Sequence, residues 1–517
     1  MTEAIKYQAD LTMMMQLINA DLVRSMTSAT QTADSSEAII CHGITDDSRK
    51  VKKGSLFVAR RGVDSDGRQF IEQAVKNGAA AIVCEAKNIE KFKQVNDCSV
   101  TLYSVDKLTS KLGSLSSHFY GNPSHSLTVV GVTGTNGKTS CSQLLAGVVD
   151  KLGKKAAVMG TLGNGPVNNI IETGNTTIGA IDLQAHLAEF RDTDIELVSM
   201  EVSSHALMQG RVNAVRYSAA LFTNLTRDHL DYHGDMESYA KAKKLLLTKS
   251  SLKTVAINAD DTVGAKLILD DDIKAKKYSF SITPINARQS ENSVWTESVV
   301  FHDTGIEAEI ASPWGSIQFK TSMIGQFNLS NCLAVITTLG AMGYPIKEVA
   351  EALASVSFVK GRMERFGGED KPLVIVDYAH TPDAMKHVLQ ALKPHTHHKL
   401  HCVFGCGGDR DKGKRSEMAK IAEEHADQIT FTSDNPRNEA VEDIIDDMLT
   451  GLVYPENCVV ECDRELAIRQ SISQAVLGDV VLIAGKGHEQ YQVFGTEKVP
   501  FSDEAVVKQA LAMGSWK

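Results

Sequence analysis

The stretch Val129-Val130-Gly131-Val132-Thr133-Gly134-Thr135-Asn136-Gly137-Lys138-Thr139-Ser140 decides the fold. The mostly apolar run at residues 127–132 reads as a buried strand. A loop with glycines at 134 and 137 ends it, and a helical pattern follows through Leu144, Leu145, Val148, Val149 and Leu152. Strand, glycine loop, Gly-Lys-Thr and helix together form a cradle for polyphosphate. Glycines let backbone N–H groups approach the oxygens, and the helix N-terminus adds a positive dipole end. Lys138 is then expected to reach the β- and γ-phosphates, and the Thr139 hydroxyl to sit on Mg²⁺. The spacing departs from Gly-x-x-x-x-Gly-Lys, because position 132 is Val. A glycine turn followed by a surface lysine is the bland alternative, and it leaves the flanking strand and helix unexplained.

Outward from this loop the α/β alternation continues. Residues 195–202, 219–224 and 254–258 read as strands that open into polar loops. In parallel α/β sheets ligands gather at the carboxyl ends of strands. After about residue 292 the pattern turns antiparallel, as at Ser298-Val299-Val300-Phe301 and Ile317-Gln318-Phe319, with a helix at 329–342. Towards the N-terminus, strands at 55–59 and 80–84 flank a helix at 70–77. A helix at 107–120 follows, with Asp106 as its expected cap. From about residue 361 a second α/β run has strands at 373–377, 400–404, 428–432, 458–460 and 480–484, the pattern of a doubly wound sheet.

The length of 517 residues suggests about three domains. Hydrophobic residues make up 43% and charged residues 23%, ordinary for a soluble globular protein. The net charge of −10 argues against a nucleic-acid surface. Nine cysteines, an odd number scattered among apolar runs, point to free thiols in a reducing compartment. Cys402-x-x-x-Cys406 and Cys458-x-x-x-Cys462 read better as packed thiols than as zinc ligands. The tract His395, His397, His398, His401 reads as a solvated loop. No apolar run reaches 18 residues, and the first ten residues lack a secretion-signal pattern, so a cytoplasmic enzyme without membrane insertion is expected.

Glu201 ends a strand where a nucleotide hydrolase places a Mg²⁺-binding acid. Thr223-Asn224-Leu225-Thr226-Arg227-Asp228-His229-Leu230-Asp231 ends the next, dense in oxygen and imidazole ligands. Alone, Asp228 reads as a helix cap and His229 as a packed or solvated histidine. Beside a Mg²⁺-ATP site they become ligand candidates.

Taken together these motifs resemble the Mur ligases, ATP-dependent enzymes that build the peptide stem of bacterial cell wall. The resemblance rests on residues 133–139, on Met200-Glu201-Val202-Ser203-Ser204-His205, on residues 223–234 and on Asn258-Ala259-Asp260-Asp261. It continues at Gly325-Gln326-Phe327-Asn328, Gly361-Arg362-Met363-Glu364, Asp377-Tyr378-Ala379-His380, Asp434-Asn435-Pro436-Arg437 and Gly485-Lys486-Gly487-His488-Glu489. It covers nearly the whole chain and is weakest before about residue 40. Within the family the chain is most similar to the ligases that add the third stem residue to UDP-N-acetylmuramoyl-L-alanyl-D-glutamate.

The resemblance implies three α/β domains. These are a small UDP-substrate-binding domain at residues 1–106, a central phosphate-loop domain with a mostly parallel sheet at 107–357, and a C-terminal Rossmann-like, amino-acid-binding domain at 358–517. It implies that ATP phosphorylates the γ-carboxylate of the D-glutamyl end and that an amine attacks the acyl phosphate. Gly134, Thr135, Asn136, Gly137, Lys138, Thr139, Ser140, Arg362, Asp377 and His380 would bind ATP. Thr139, Glu201 and His229 would hold two Mg²⁺ ions, with Lys138, Glu201, His229 and Lys243 as the catalytic set. Lys243 matches the family lysine that takes up CO₂ as a carbamate, N6-carboxylysine; without the resemblance it is one of several solvated lysines beside Lys241 and Lys244.

Asp46, Ser48, Asn175, Thr176, Thr177, Ser203, Gln209 and Arg211 match contacts to the UDP-substrate, and residues 62–67 match a nucleotide-touching loop more loosely. Arg410, Asp434, Asn435, Pro436, Arg437, Gly485 and Glu489 match the amino-acid pocket. The Arg-bearing Asp434-Asn435-Pro436-Arg437 accompanies meso-2,6-diaminopimelate, whose far carboxylate suits the bidentate fork of Arg437. Arg362 would swing towards the phosphates when the enzyme closes. The cluster Arg410, Lys412, Lys414, Arg415 divides between anionic ligands and a solvated loop. A monomer is expected. The alternatives are an L-lysine-adding ligase, a folylpolyglutamate synthetase-like ligase, a non-catalytic phosphate-loop protein, and a plain kinase or hydrolase.

Overall fold

The computed structural model describes residues 6–24, 39–62, 65–284, 291–302, 305–356, 360–368 and 370–514. The chain is α/β throughout and separates into two compact units. One comprises Met1–Gly131 with Lys154–Ser218, the other Val132–Gly153 with Ala219–Lys517. Among the described residues no helix is long and apolar enough to cross a membrane.

In the first unit a five-stranded sheet runs Asp21–Arg24, Thr101–Val105, Ala81–Glu85, Ser55–Ala59, Gly43–Thr45. It is parallel apart from the antiparallel first strand. Continuous apolar strands such as Ser55-Leu56-Phe57-Val58-Ala59 are covered on both faces. Leu56, Val58, Ala81 and Val83 pack on Leu108, Leu112 and Leu115 of helix Leu108–Phe119. The alternate residues Phe57, Ala59, Ile82 and Cys84 join Ile71 and Ala74 of helix Ile71–Lys76. The same unit pairs Leu197–Glu201 in parallel with Ala156–Gly160, a strand the sequence reading passed over.

The expected cap of helix Leu108–Phe119 is corrected. Lys107, not Asp106, stands at its N-cap with φ of 55°. Glu85, at the end of a neighbouring strand, accepts from Lys107 N at 2.9 Å and Leu108 N at 3.0 Å. A distant carboxylate thus satisfies the first-turn amides that a local Asp was expected to reach.

In the second unit Ala219–Phe222, Thr254–Asn258, Lys276–Ser281 and Ser293–His302 pair in parallel. Gly305–Ala311 and Ile317–Thr321 extend them antiparallel, as the switch after residue 292 predicts. A six-stranded sheet follows in the order Glu364–Gly367, Leu373–Asp377, Val480–Ala484, Leu400–Phe404, Gln428–Phe431, Val459–Val460. Only its first strand is antiparallel. Apolar clusters fill both faces, with Leu389 and Met418 on one and Ile468 and Val507 on the other. Cys402 and Cys406 belong to the first of these clusters, and burial raises both thiols.

Two polar residues differ from expectation because their partners lie far along the chain. His401 is not in a solvated loop: it is buried in strand Leu400–Phe404, with Nε2 3.2 Å from Asp479 Oδ2. Burial lowers its pKa. Arg415 is likewise not solvated. It is fully buried and donates to Glu439, Asp447 and the Gly407 carbonyl.

Candidate functional site

The phosphate loop joins strand Thr128–Thr133 to helix Lys138–Lys151. It is locked from the side by the end of strand Ala219–Phe222. Thr223 Oγ1 donates to Asn136 O at 2.6 Å, and Asn224 Oδ1 accepts from Asn136 N at 2.8 Å. Thr135 N donates to Asn224 O at 2.9 Å. Glycine is required at both marked positions. Gly134 has φ of 153°, and a Cβ there would stand 1.8 Å from Thr223 Oγ1. At Gly137, with φ of 83°, a Cβ would stand 2.7 Å from Asn331 Oδ1. Lys138 Nζ donates to the carbonyls of Gly134 and Thr135, at 2.9 and 2.8 Å.

A cavity of about 620 Å³ opens beside the loop. Asn136, Gly137 and Ser140 line one side, and Asn258, Asp261, Phe280 and Phe327 line another. Arg362, Asp377, Tyr378 and His387 complete it. Asn136 Nδ2 donates to Asp383 Oδ2 at 3.1 Å across it. Arg362 already reaches the loop, with Nη2 donating to Thr139 Oγ1 at 3.1 Å while its guanidinium lies 4.4 Å from the Tyr378 ring centre. Asp377 Oδ2 accepts from Met363 N at 2.7 Å, and burial raises its carboxyl. His380 is lowered to about 4, first by burial and then by Lys414, so the ring is neutral. A space of this size, with aromatic walls at one end and N–H-rich loop backbone at the other, suits a nucleotide triphosphate.

Below the loop stands Lys243, on helix Met236–Leu247 and 1% exposed. Its Nζ donates to Gly134 O at 2.6 Å and lies 4.4 Å from the Tyr239 ring centre. Burial, then the charge of Lys138, lower its pKa well below the ordinary lysine value. Asp228 is buried close by. Desolvation pushes its carboxyl up, but the charge of His229, Lys414 and Lys138 outweighs it and holds it well below the usual range. His229 has φ of 54° and Nε2 3.3 Å from Asp228 Oδ2. Neither Lys243 nor Lys138 is a solvated surface lysine.

In the first unit, Glu201 ends its strand with the side chain buried. Its oxygens accept from Thr161 N at 2.9 Å and Thr161 Oγ1 at 3.1 Å. Thr176 and Thr177 close around it, through Thr161 Oγ1 and the Glu201 carbonyl. Arg211 donates to Thr177 O at 2.7 Å and to Gln209, and Ser203 caps helix Ser204–Met208 beside them. Thr176, Thr177, Ser203, Gln209 and Arg211 are therefore one cluster, and Asn175 is exposed next to it. Asp46 and Ser48 hold other partners: Arg60 and Gln73 respectively. Of residues 62–67, Val63 and Asp64 lie outside the described residues.

The third group sits at the carboxyl ends of the six-stranded sheet. Arg437, with φ of 51°, donates from Nη1 to Gly408 O at 2.8 Å. Burial and then Arg410 lower its pKa. Asn435 Nδ2 donates to Glu489 Oε2 at 2.9 Å. Gly485 leaves room for Asp434, since a Cβ there would stand 2.7 Å from Asp434 Oδ2. Arg410 is exposed at the rim. The sequence reading did not select Lys486 as a site residue. It is fully buried and donates to Glu489 Oε2 at 2.7 Å and Asn435 Oδ1 at 3.1 Å. A lysine directly after a buried apolar strand, between two glycines, was the available signal. Carboxylates and cations thus alternate along one rim, a match for a ligand bearing both ammonium and carboxylate groups.

These features coincide with recognised sequence families. Residues 132–339 match the Mur ligase middle domain, 361–487 the Mur ligase glutamate ligase domain, and 40–120 the Mur ligase family catalytic domain. The UDP-N-acetylmuramoyl-L-alanyl-D-glutamate--2,6-diaminopimelate ligase of Haemophilus influenzae is 45% identical over 467 residues, 90% of this chain and 95% of the relative. The ligase of the same name from Pseudomonas putida is 43% identical over 476 residues, 91% and 94% of the two chains. A solved structure of a ligase of the same name superposes with a TM-score of 0.64 at 33% identity, covering 91% of this chain and 95% of the other. The folylpolyglutamate synthase of Mycobacterium tuberculosis, at 18% identity and TM-score 0.62 over 73% and 92%, shares the fold. With its phosphate loop, buried lysine and charged rim in place, the chain belongs to the Mur ligase family.

The packing of the phosphate loop gives a direct test. Gly134→Ala forces a Cβ onto the Thr223 hydroxyl, so the loop must move by about an ångström. ATP affinity, measured by calorimetry, should fall by about tenfold to a hundredfold, the loss of a hydrogen bond to charged phosphate. Affinity within a factor of two of the parent would contradict the cradle.

Proposed function

We propose that this chain is an ATP-dependent amide ligase that adds meso-2,6-diaminopimelate to UDP-N-acetylmuramoyl-L-alanyl-D-glutamate, in peptidoglycan precursor synthesis. The observation that carries the reading is the partly buried Arg437. It is aimed by the Gly408 carbonyl and faces the Asp434 and Glu489 side of the rim. The relatives' names fit it, at 43–45% identity over nine-tenths of the chain. Domains at residues 1–106, 107–357 and 358–517 belong to this proposal, as do a cytoplasmic location and a monomeric enzyme.

The chemistry follows from charge. The γ-carboxylate of the D-glutamyl end attacks the γ-phosphorus of ATP, and ADP leaves. Two anions meet in that step, so cations must offset them. Lys138, on the loop, and Arg362, on the Thr139 hydroxyl, supply fixed positive charge. Mg²⁺, for which Thr139 and His229 of the second unit and, separately, Glu201 of the first are the proposed ligands, would neutralise phosphate charge when bound. The amine of the amino acid then attacks the acyl carbon, forming the amide and releasing phosphate. The incoming ammonium must first lose a proton to solvent, and Asp434 and Glu489 are candidates to hold an ammonium group of the ligand. A far carboxylate pairs with Arg437, with Arg410 at the rim. Lysine would leave a half-buried guanidinium without its partner, which can cost selectivity of about 10⁴.

Lys243 is assigned a carbamate. Only a neutral amine attacks CO₂, and burial beside Lys138 favours the neutral form. The product is an anion next to Lys138, where a second cation would otherwise repel it. An intact-mass spectrum under CO₂ is expected to show one added CO₂, lost in Lys243→Met. An unmodified mass would sink the assignment.

Phosphate release with Mg²⁺-ATP and the UDP-dipeptide should require diaminopimelate and proceed at least a hundredfold more slowly with L-lysine. In Arg437→Ala, kcat/KM for diaminopimelate should fall by about 10²–10³, while ATP affinity stays within twofold. Turnover with lysine alone, or equal loss of both ligands, would overturn the pocket assignment.

A further inference from the structure

The two loops of the amino-acid pocket leave the sheet from strands that are not neighbours. Leu400–Phe404 lies between Gln428–Phe431 and Val480–Ala484. The strand ends that release Ser433-Asp434 and Gly485 therefore stand roughly 10 Å apart. A single side chain bridges that gap. Arg464, the first residue of helix Arg464–Gln474, is 1% exposed. Its Nη1 donates to Ser433 O at 3.1 Å and its Nη2 to Ala484 O at 2.9 Å. Its Nε and Nη2 also hold Asp503 Oδ1 and Oδ2, each at 2.8 Å. The Asp503 side chain is wholly buried. Gln492 adds a further tie on the Asp434 side, donating to Ser433 Oγ at 3.0 Å and Asp434 O at 2.8 Å.

A buried ion pair is a poor source of stability, because desolvation offsets the attraction and apolar residues of like volume often replace it without loss. Apolar residues cannot hold two carbonyls at a fixed separation. The guanidinium does so, because its donors form a rigid planar fork. Both carbonyls come just before site residues: Ser433 precedes Asp434, and Ala484 precedes Gly485. We propose that Arg464 is a positioning residue for amino-acid selection. By tying Ser433 O to Ala484 O it sets the distance between the Asp434–Arg437 loop and the Gly485–Glu489 loop. A ligand charged at both ends must meet both loops at once, so its binding depends on that span. Neither loop lines the nucleotide cavity, so ATP binding does not. The proposal rests on the diaminopimelate reading for the ligand's identity, but the geometry stands apart from it.

The test compares three variants with the parent by KM for diaminopimelate, KM for ATP, the diaminopimelate-to-lysine ratio of kcat/KM, and Tm. Asp503→Asn breaks the ion pair but leaves both carbonyl bonds. It should melt lower and keep the diaminopimelate KM within twofold. Arg464→Met with Asp503→Leu removes the fork without leaving a buried charge. It should raise the diaminopimelate KM at least tenfold, keep the ATP KM within twofold, and narrow the amino-acid ratio at least tenfold. Arg464→Lys keeps the charge and loses the fork; it should raise the diaminopimelate KM similarly, and it decides the matter if the double variant does not fold. A parental diaminopimelate KM in Arg464→Lys, or in the folded double variant, overturns the proposal. So does a KM rise in Asp503→Asn equal to that of the double variant. If the parent itself prefers lysine, the ligand assignment falls, and the span is then judged by the same shifts in the lysine KM.

Discussion

The site in the second unit depends on one steric constraint: there is no space for a side chain between the phosphate loop and the Thr223 hydroxyl. The loop is pinned to the end of the next strand by Thr223 and Asn224. That contact fixes where Gly134 points its carbonyl, and the carbonyl in turn receives both Lys138 and Lys243. Two lysines converge on one acceptor, so at least one is disfavoured as a cation. Burial holds the pKa of Lys243, the fully buried one, well below the ordinary lysine value. The helix that follows the loop carries Thr139, whose hydroxyl accepts from Arg362. The glycine cradle and the buried position of Lys243 are thus two consequences of the same packing.

The charged rim at the six-stranded sheet follows a different rule. Apart from the exposed Arg410, its cations are embedded and tied: Lys486 by Asn435 and Glu489, Arg437 by Gly408, and beneath them Arg464 by Asp503 and two carbonyls. Each tie removes rotamer freedom before a ligand arrives, which lowers the entropic cost of binding. It also makes mismatched ligands costly, since a buried charge that loses its partner has nowhere to turn.

Much of this was legible in the sequence where the signal is local. Apolar strands such as Ser55–Ala59 and Leu373–Asp377 fall on the residues expected, because continuous burial on both faces demands runs of such residues. The phosphate loop was legible because its glycines, lysine and helix are adjacent in sequence. Where the deciding partner is distant, the local signal misleads. Glu85 caps a helix 23 residues away, His401 pairs with Asp479, and Arg415 is buried by Glu439 and Asp447. The burial of Lys243 was also invisible among Lys241 and Lys244, since the helix face it occupies is set by the loop above it. Arg464, in a polar helix, carried no local mark of its two carbonyl partners.

The central claim is that the nucleotide cavity activates a carboxylate as an acyl phosphate for the amine held at the charged rim. The direct measurement follows oxygen. The UDP-dipeptide is labelled with ¹⁸O in its γ-carboxylate and turned over with ATP and diaminopimelate, and the released phosphate is analysed by mass spectrometry. The account predicts one ¹⁸O in each phosphate, because the carboxylate oxygen that attacks phosphorus leaves with it. Unlabelled phosphate alongside amide product would contradict it.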